Sequence, residues 1–89
     1  MGRFSVLLKA SALEEIEAIS RKKDRQRIVR SIEGLADDPR PRGCQKLSGQ
    51  DRYRVRQGEY RIVYSVEDEE LIVFVVKVGH RKDVYREAL

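Results

Sequence analysis

Hydrophobic positions change period twice along this chain. Phe4, Val6 and Leu8 alternate with Ser5 and Leu7, which predicts a short first strand. Ser11 and Glu14 have capping-box spacing and predict a helix start, and Leu13, Ile16 and Ile19 form its apolar stripe. The run Arg21-Lys22-Lys23 places cations where the helix dipole favours them, at its C-terminus. Asp24 then predicts a cap for a second helix, in which Ile28, Ile32, Leu35 and Ala36 recur at helical spacing. Asp37-Asp38-Pro39 stops it, and residues 39–49 read as a loop holding both prolines.

From Arg52 onward the period is two. Tyr53 and Val55 alternate with Arg52, Arg54 and Arg56, and Gln57-Gly58-Glu59 makes a tight turn. Tyr60, Ile62, Tyr64 and Val66 alternate with Arg61, Val63 and Ser65. An acidic turn, Glu67 to Glu70, leads to a third, almost wholly apolar strand, Leu71 to Val78. Gly79 breaks it, and Arg81 to Leu89 predicts a short terminal helix. The order β-α-α-β-β-β-α is that of a single α+β domain over residues 1–89. It predicts a small, mostly antiparallel sheet with an αα-hairpin on one face and a short C-terminal helix. Alternation puts Tyr60, Ile62, Tyr64 and Val66 towards the helices. Arg61 and Val63 then share an open face that mixes cations with exposed valines, the character of a binding surface.

Composition narrows this picture. The chain has 89 residues, 40% hydrophobic and 38% charged, enough for one modest core. Its single cysteine, Cys44, excludes an internal disulfide and suits a reducing cytosol. The N-terminus carries no signal-peptide h-region, and the run Leu71 to Val76 is too short to span a membrane. A cytoplasmic location is expected, with no membrane partner.

Charge adds the first functional hint. Of the net +4, residues 40–64 hold 7 basic and 2 acidic groups, whereas residues 65–76 hold 4 acidic and no basic ones. Six of the seven cations are arginines (Arg40, Arg42, Arg52, Arg54, Arg56, Arg61), joined by Lys46. A planar guanidinium suits phosphate, so a polyanion is the expected partner. No metal-ligand spacing, P-loop, dinucleotide-binding glycine motif or Ser-His-Asp set is present, and no cofactor is expected.

Three segments carry a resemblance: Lys46-Leu47-Ser48-Gly49, then residues 53–64 (YRVRQGEYRIVY), then residues 78–85 (VGHRKDVY). In this order they resemble the RelE branch of the RelE/ParE toxin superfamily of type II toxin–antitoxin pairs. The resemblance implies a toxin that enters the ribosomal A site and cleaves messenger RNA there. It also implies neutralisation by an antitoxin encoded beside it, and operator DNA binding only through the antitoxin complex. It implies catalytic roles for Arg61, Arg81 and Tyr85, and substrate contacts for Arg54 and Arg56, to which Lys46 and His80 are added as neighbours in the motifs.

The chemistry fits these residue types. The substrate's own 2′-hydroxyl attacks the adjacent phosphorus and expels a 5′-oxygen. Negative charge then builds on phosphoryl oxygens that fixed cations can stabilise. Arginine cannot be the base, because its pKa lies above ~12. Tyr85 and His80 remain as the two candidates, the resemblance pointing to Tyr85. Two other readings share the fold: a ParE-like inhibitor of DNA gyrase that is not an enzyme, and an inactive RNA-binding relative.

Overall fold

In the computed structural model residues 3–49 and 51–81 are described. β1 (Ser5–Leu8) leads into α1 (Ala10–Glu17) and α2 (Lys22–Gly34), followed by β2 (Gln45–Lys46), β3 (Tyr53–Gln57), β4 (Tyr60–Glu67) and β5 (Ile72–His80). The five strands form one sheet in the order β1-β5-β4-β3-β2. β1 lies parallel to β5, and the other pairings are antiparallel. The expected terminal helix falls outside the described residues.

The helices cover one face, as the alternation predicts. Ile16, Ile19, Ile28, Ile32 and Leu35 pack with Ile62, Tyr64, Val66, Val73, Val75 and Val78, and Tyr53, Val55 and Tyr60 join from the rim. Burying a Val or Ile side chain contributes about 1.5–3 kcal/mol, so these positions hold the sheet to the helices. The α1 stripe is displaced from its expected line: Ala12 is buried and Leu13 exposed.

Both predicted helix starts shift, for visible reasons. The Lys9 N–H donates to the Val75 carbonyl at 2.9 Å, continuing the β1–β5 pairing. α1 therefore starts straight after the strand, with Lys9 as its N-cap, and Ser11 sits inside the first turn without capping. α2 starts at Lys22 after Arg21, leaving Asp24 in the first turn, where its charge suits the dipole. Lys22 and Lys23 thus belong to the start of α2, not the end of α1. The cation serving the end of α1 is Arg25, whose Nη1 donates to the carbonyls of Ile19 and Ser20.

The remaining differences lie in the sheet. The loop of residues 39–49 contains the two-residue strand β2, which pairs Gln45 with Arg54 and Lys46 with Tyr53. Gly79 does not break β5. It pairs with Arg61, and the strand runs on to His80. The register slips between Val63 and Tyr64, which adds one residue, Val76, to β5. The β3–β4 hairpin closes through Gly58 and Glu59, and Gly58 takes the positive φ (60°) that a two-residue turn requires of its first residue.

Candidate active site

Lys46, Arg54, Arg56, Arg61 and His80 lie on four consecutive strands, β2 to β5, and strand alternation sorts them. Arg54 and Arg56 on β3 and Arg61 on β4 point away from the helices, because their neighbours Tyr53, Val55, Tyr60 and Ile62 point towards them. Arg56 is the direct cross-strand partner of Arg61, and Arg54 is the partner of Val63. Two like charges directly opposite each other repel. Such an arrangement is favoured when an anion sits between them.

This face is not the open surface that alternation suggested. Arg61 is 7% exposed and Val63 2%. Val63 lies between Arg54 and Lys77, its partners on the two flanking strands. The aliphatic stems of such long cationic side chains cover small apolar neighbours while their charged heads stay in water. Arg61 is flanked by Arg56 and by Gly79, which carries no side chain. Among the described residues, the Arg61 side chain has one hydrogen bond, from Nη1 to the Tyr60 carbonyl at 3.5 Å, and no carboxylate partner. A desolvated guanidinium without a carboxylate is costly unless an anion completes it.

Arg54 donates to the Gln45 side chain on β2. Lys46, one residue on, pairs with Tyr53 and so lies on the opposite side of the sheet from Arg54. Arg81, just past β5, is held by Glu59 of the hairpin turn. Its N–H donates to the Glu59 carbonyl at 2.9 Å, and its Nε lies 3.5 Å from the Glu59 carboxylate. That carboxylate also stands 3.9 Å from His80 Nε2. The His80 ring packs edge-on to Tyr60 at 5.9 Å, and its register partner is Tyr60, on the helix side. Tyr85 falls outside the described residues. The structure thus gathers Arg54, Arg56 and Arg61 on one face, ties Arg81 to the turn beside them, and sets Lys46 and His80 on the other side.

Several residues that organise this region were not singled out in the sequence. Glu15 reads as part of a solvated helix face with Glu14 and Glu17. Instead it pairs with Lys77 and accepts the Val78 N–H at 3.0 Å, closing the edge of β5 beyond β1. Arg40 binds Asp68 through both carboxylate oxygens (3.0 and 2.8 Å) and donates to the Tyr53 hydroxyl at 3.1 Å, with its guanidinium 5.1 Å from the Tyr53 ring centre. Tyr53 stacks on Tyr64, whose hydroxyl donates to the Pro39 carbonyl at 2.8 Å. Burial first, and then the nearby Cys44, push the Tyr64 phenol well above its ordinary pKa, so it keeps its proton. The ion pair holds the Asp68 carboxyl below the ordinary carboxylate range. Such long-range pairs leave no periodic signal in a sequence.

With this geometry in view, similarity to known proteins decides the family. Residues 6–85 match the family described as "ParE toxin of type II toxin-antitoxin system, parDE". The chain belongs to the RelE/ParE toxins. It is similar to several members of the RelE branch. The mRNA interferase toxin RelE of Escherichia coli K12 is 37% identical over 70 residues, 73% of each chain. A RelE-like toxin protein of Escherichia coli is 32% identical over 87 residues, 93% of this chain and 90% of that one. The isolated E. coli RelE toxin superposes with a TM-score of 0.74 at 32% identity, covering 97% of this chain and 94% of that one. The toxin of the archaeal RelE–RelB complex from Pyrococcus horikoshii superposes at 0.80 with 26% identity, covering 89% and 96%. The α+β fold is that of these RelE toxins.

Proposed function

We propose that this RelE-like toxin is an endoribonuclease that cuts messenger RNA in the ribosomal A site and so stops translation, and that an acidic antitoxin neutralises it. The observation that carries this reading is Arg61: buried, opposite Arg56, and without a carboxylate partner among the described residues. A phosphodiester supplies the missing negative charge. Relatives named mRNA interferase at 37% identity, and solved complexes of RelE with RelB, support the activity and the partner class.

The chemistry needs no group beyond the RNA and the chain. The 2′-hydroxyl gives its proton to a base, and its oxygen bonds to the adjacent phosphorus. The phosphorus–5′-oxygen bond then breaks, and the departing oxygen takes up a proton. This leaves a 2′,3′-cyclic phosphate and a 5′-hydroxyl. Arg61 and Arg81 stabilise the phosphoryl oxygens as they gain charge, while Arg54 and Arg56 hold neighbouring phosphate. Tyr85 is the base favoured by this reading, because the His80 ring is engaged by Tyr60 and Glu59 on the helix side.

Primer extension on messenger RNA after controlled expression tests the proposal. Cuts within codons that disappear when ribosomes are kept off the message are the expected result. The ParE description of the matched family supports one other reading, a gyrase inhibitor. Intact messages together with lost supercoiling activity would establish that reading instead.

A further inference from the structure

A cavity of about 240 Å³ opens where the first turn of α1 meets the Arg61 side of the sheet, lined by Lys9, Ser11, Glu15, Arg52, Val63, Val76 and Lys77. That is below the ~300–1,000 Å³ usual for a pocket enclosing a whole small molecule. It suits one unit of a longer chain. Its charge is uneven. Glu15 is committed to Lys77 and to the Val78 N–H, so their charges balance within the wall. Lys9 and Arg52 bond to the other described residues only through their backbones: the Lys9 N–H donates to the Val75 carbonyl, the Lys9 carbonyl accepts from the Leu13 N–H, and the Arg52 carbonyl accepts from the Leu47 N–H. Among the described residues neither has a carboxylate partner, so both add positive charge to the cavity. Ser11, freed from the capping role, adds a hydroxyl donor, and Val63 and Val76 provide an apolar floor.

Position along the sheet identifies the occupant. Val63 lies two residues from Arg61 on the same face, ~7 Å along β4, and pairs with Arg54. The geometry points to this cavity as a subsite for an RNA phosphodiester one nucleotide step from the phosphate held at Arg61. Lys9 and Arg52 contact its oxygens, Ser11 donates to it, and the valines face the sugar. This subsite rests on the RNA-cleaving reading and extends it along the strand.

The test measures salt dependence of binding for the intact chain and for Lys9→Ala/Arg52→Ala. One arm uses a single-stranded oligoribonucleotide made uncleavable by 2′-deoxy substitution, and the other uses ribosomes without message. Loss of one phosphate contact on single-stranded RNA should flatten the slope of log affinity against log salt by ~0.7. Flattening in the oligonucleotide arm is the expected result, and flattening in the ribosome arm alone would assign the two charges to ribosomal RNA and overturn the subsite. Arg27→Ala, on exposed α2, should leave both slopes unchanged. Lys9→Gln/Arg52→Gln, which keeps much of the stem length, should match the alanine pair, separating charge from packing. Parental slopes in both arms would overturn the subsite while leaving cleavage untouched. A parent protein that binds neither RNA would overturn both.

Discussion

Arg61 is costly to the fold, and the proposed function gives that cost a use. Its guanidinium is buried opposite another arginine, so its replacement should relieve repulsion as well as remove charge. Arg61→Gln should therefore fold, with single-turnover cleavage on ribosomes slowed on the order of 100- to 1,000-fold, as for loss of one transition-state donor. A normal cleavage rate would remove Arg61 from the chemistry. Tyr85→Phe separates base from anchor. If the hydroxyl takes the proton, the phenylalanine variant should be as slow as Tyr85→Ala and its pH–rate profile should lose a limb. Near-normal cleavage by Tyr85→Phe would pass the role to His80, with His80→Gln the variant to measure. Tyr64 differs in kind: its hydroxyl is buried and bound to the Pro39 carbonyl. Tyr64→Phe should cost about 1 kcal/mol of stability in a denaturant titration and leave single-turnover cleavage unchanged.

At the scale of elements, the Arg40–Asp68 pair links the loop after α2 to the β4–β5 turn. Asp68 has a folded-state pKa below its ordinary 3.8. Its contribution to stability is thus present above pH 3.8 and is lost as pH falls through the lower folded value. Asp68→Asn should lose that contribution at neutral pH, and its deficit against the parent should shrink to nothing as pH falls below about 4, which flattens the acid limb of the stability–pH curve. An unchanged acid limb would show the pair to be energetically silent. Much of this architecture was legible beforehand. The α2 stripe of Ile28, Ile32 and Leu35, the hairpin at Gly58, and the sorting of Arg61 from Ile62 all follow from local periodicity. What escaped was non-local. Ser11 could not cap α1, because Lys9 was still paired with β5. β2 is two residues long, too short for alternation to reveal. Val63 is buried on the face that alternation leaves open, between its register partners Arg54 and Lys77, and the partners of Glu15 lie 62 and 63 positions away. Of the site, the arginine face could be read from the sequence, whereas the sides taken by Lys46 and His80 required the register.

For the whole molecule, expression of the chain alone should halt growth by stopping protein synthesis, and an antitoxin from the neighbouring gene should restore it. Normal incorporation of labelled amino acids despite soluble expression would contradict this. Finally, the pairing of β1 with β5 couples the first strand to the last across more than 60 positions, Ser5 with Ile72. Contacts of such sequence separation form late, because a long loop must close before they stabilise anything. β4, which carries Arg61, gains its second neighbour only when β5 arrives. A nascent chain that has emerged only as far as residue 70 therefore has neither a completed sheet nor the strand that flanks Arg61. On the proposed function, the toxin is thus harmless to the ribosome making it until synthesis of the sheet is finished. Ribosome-tethered chains halted before and after β5 should differ accordingly: only the longer should resist protease.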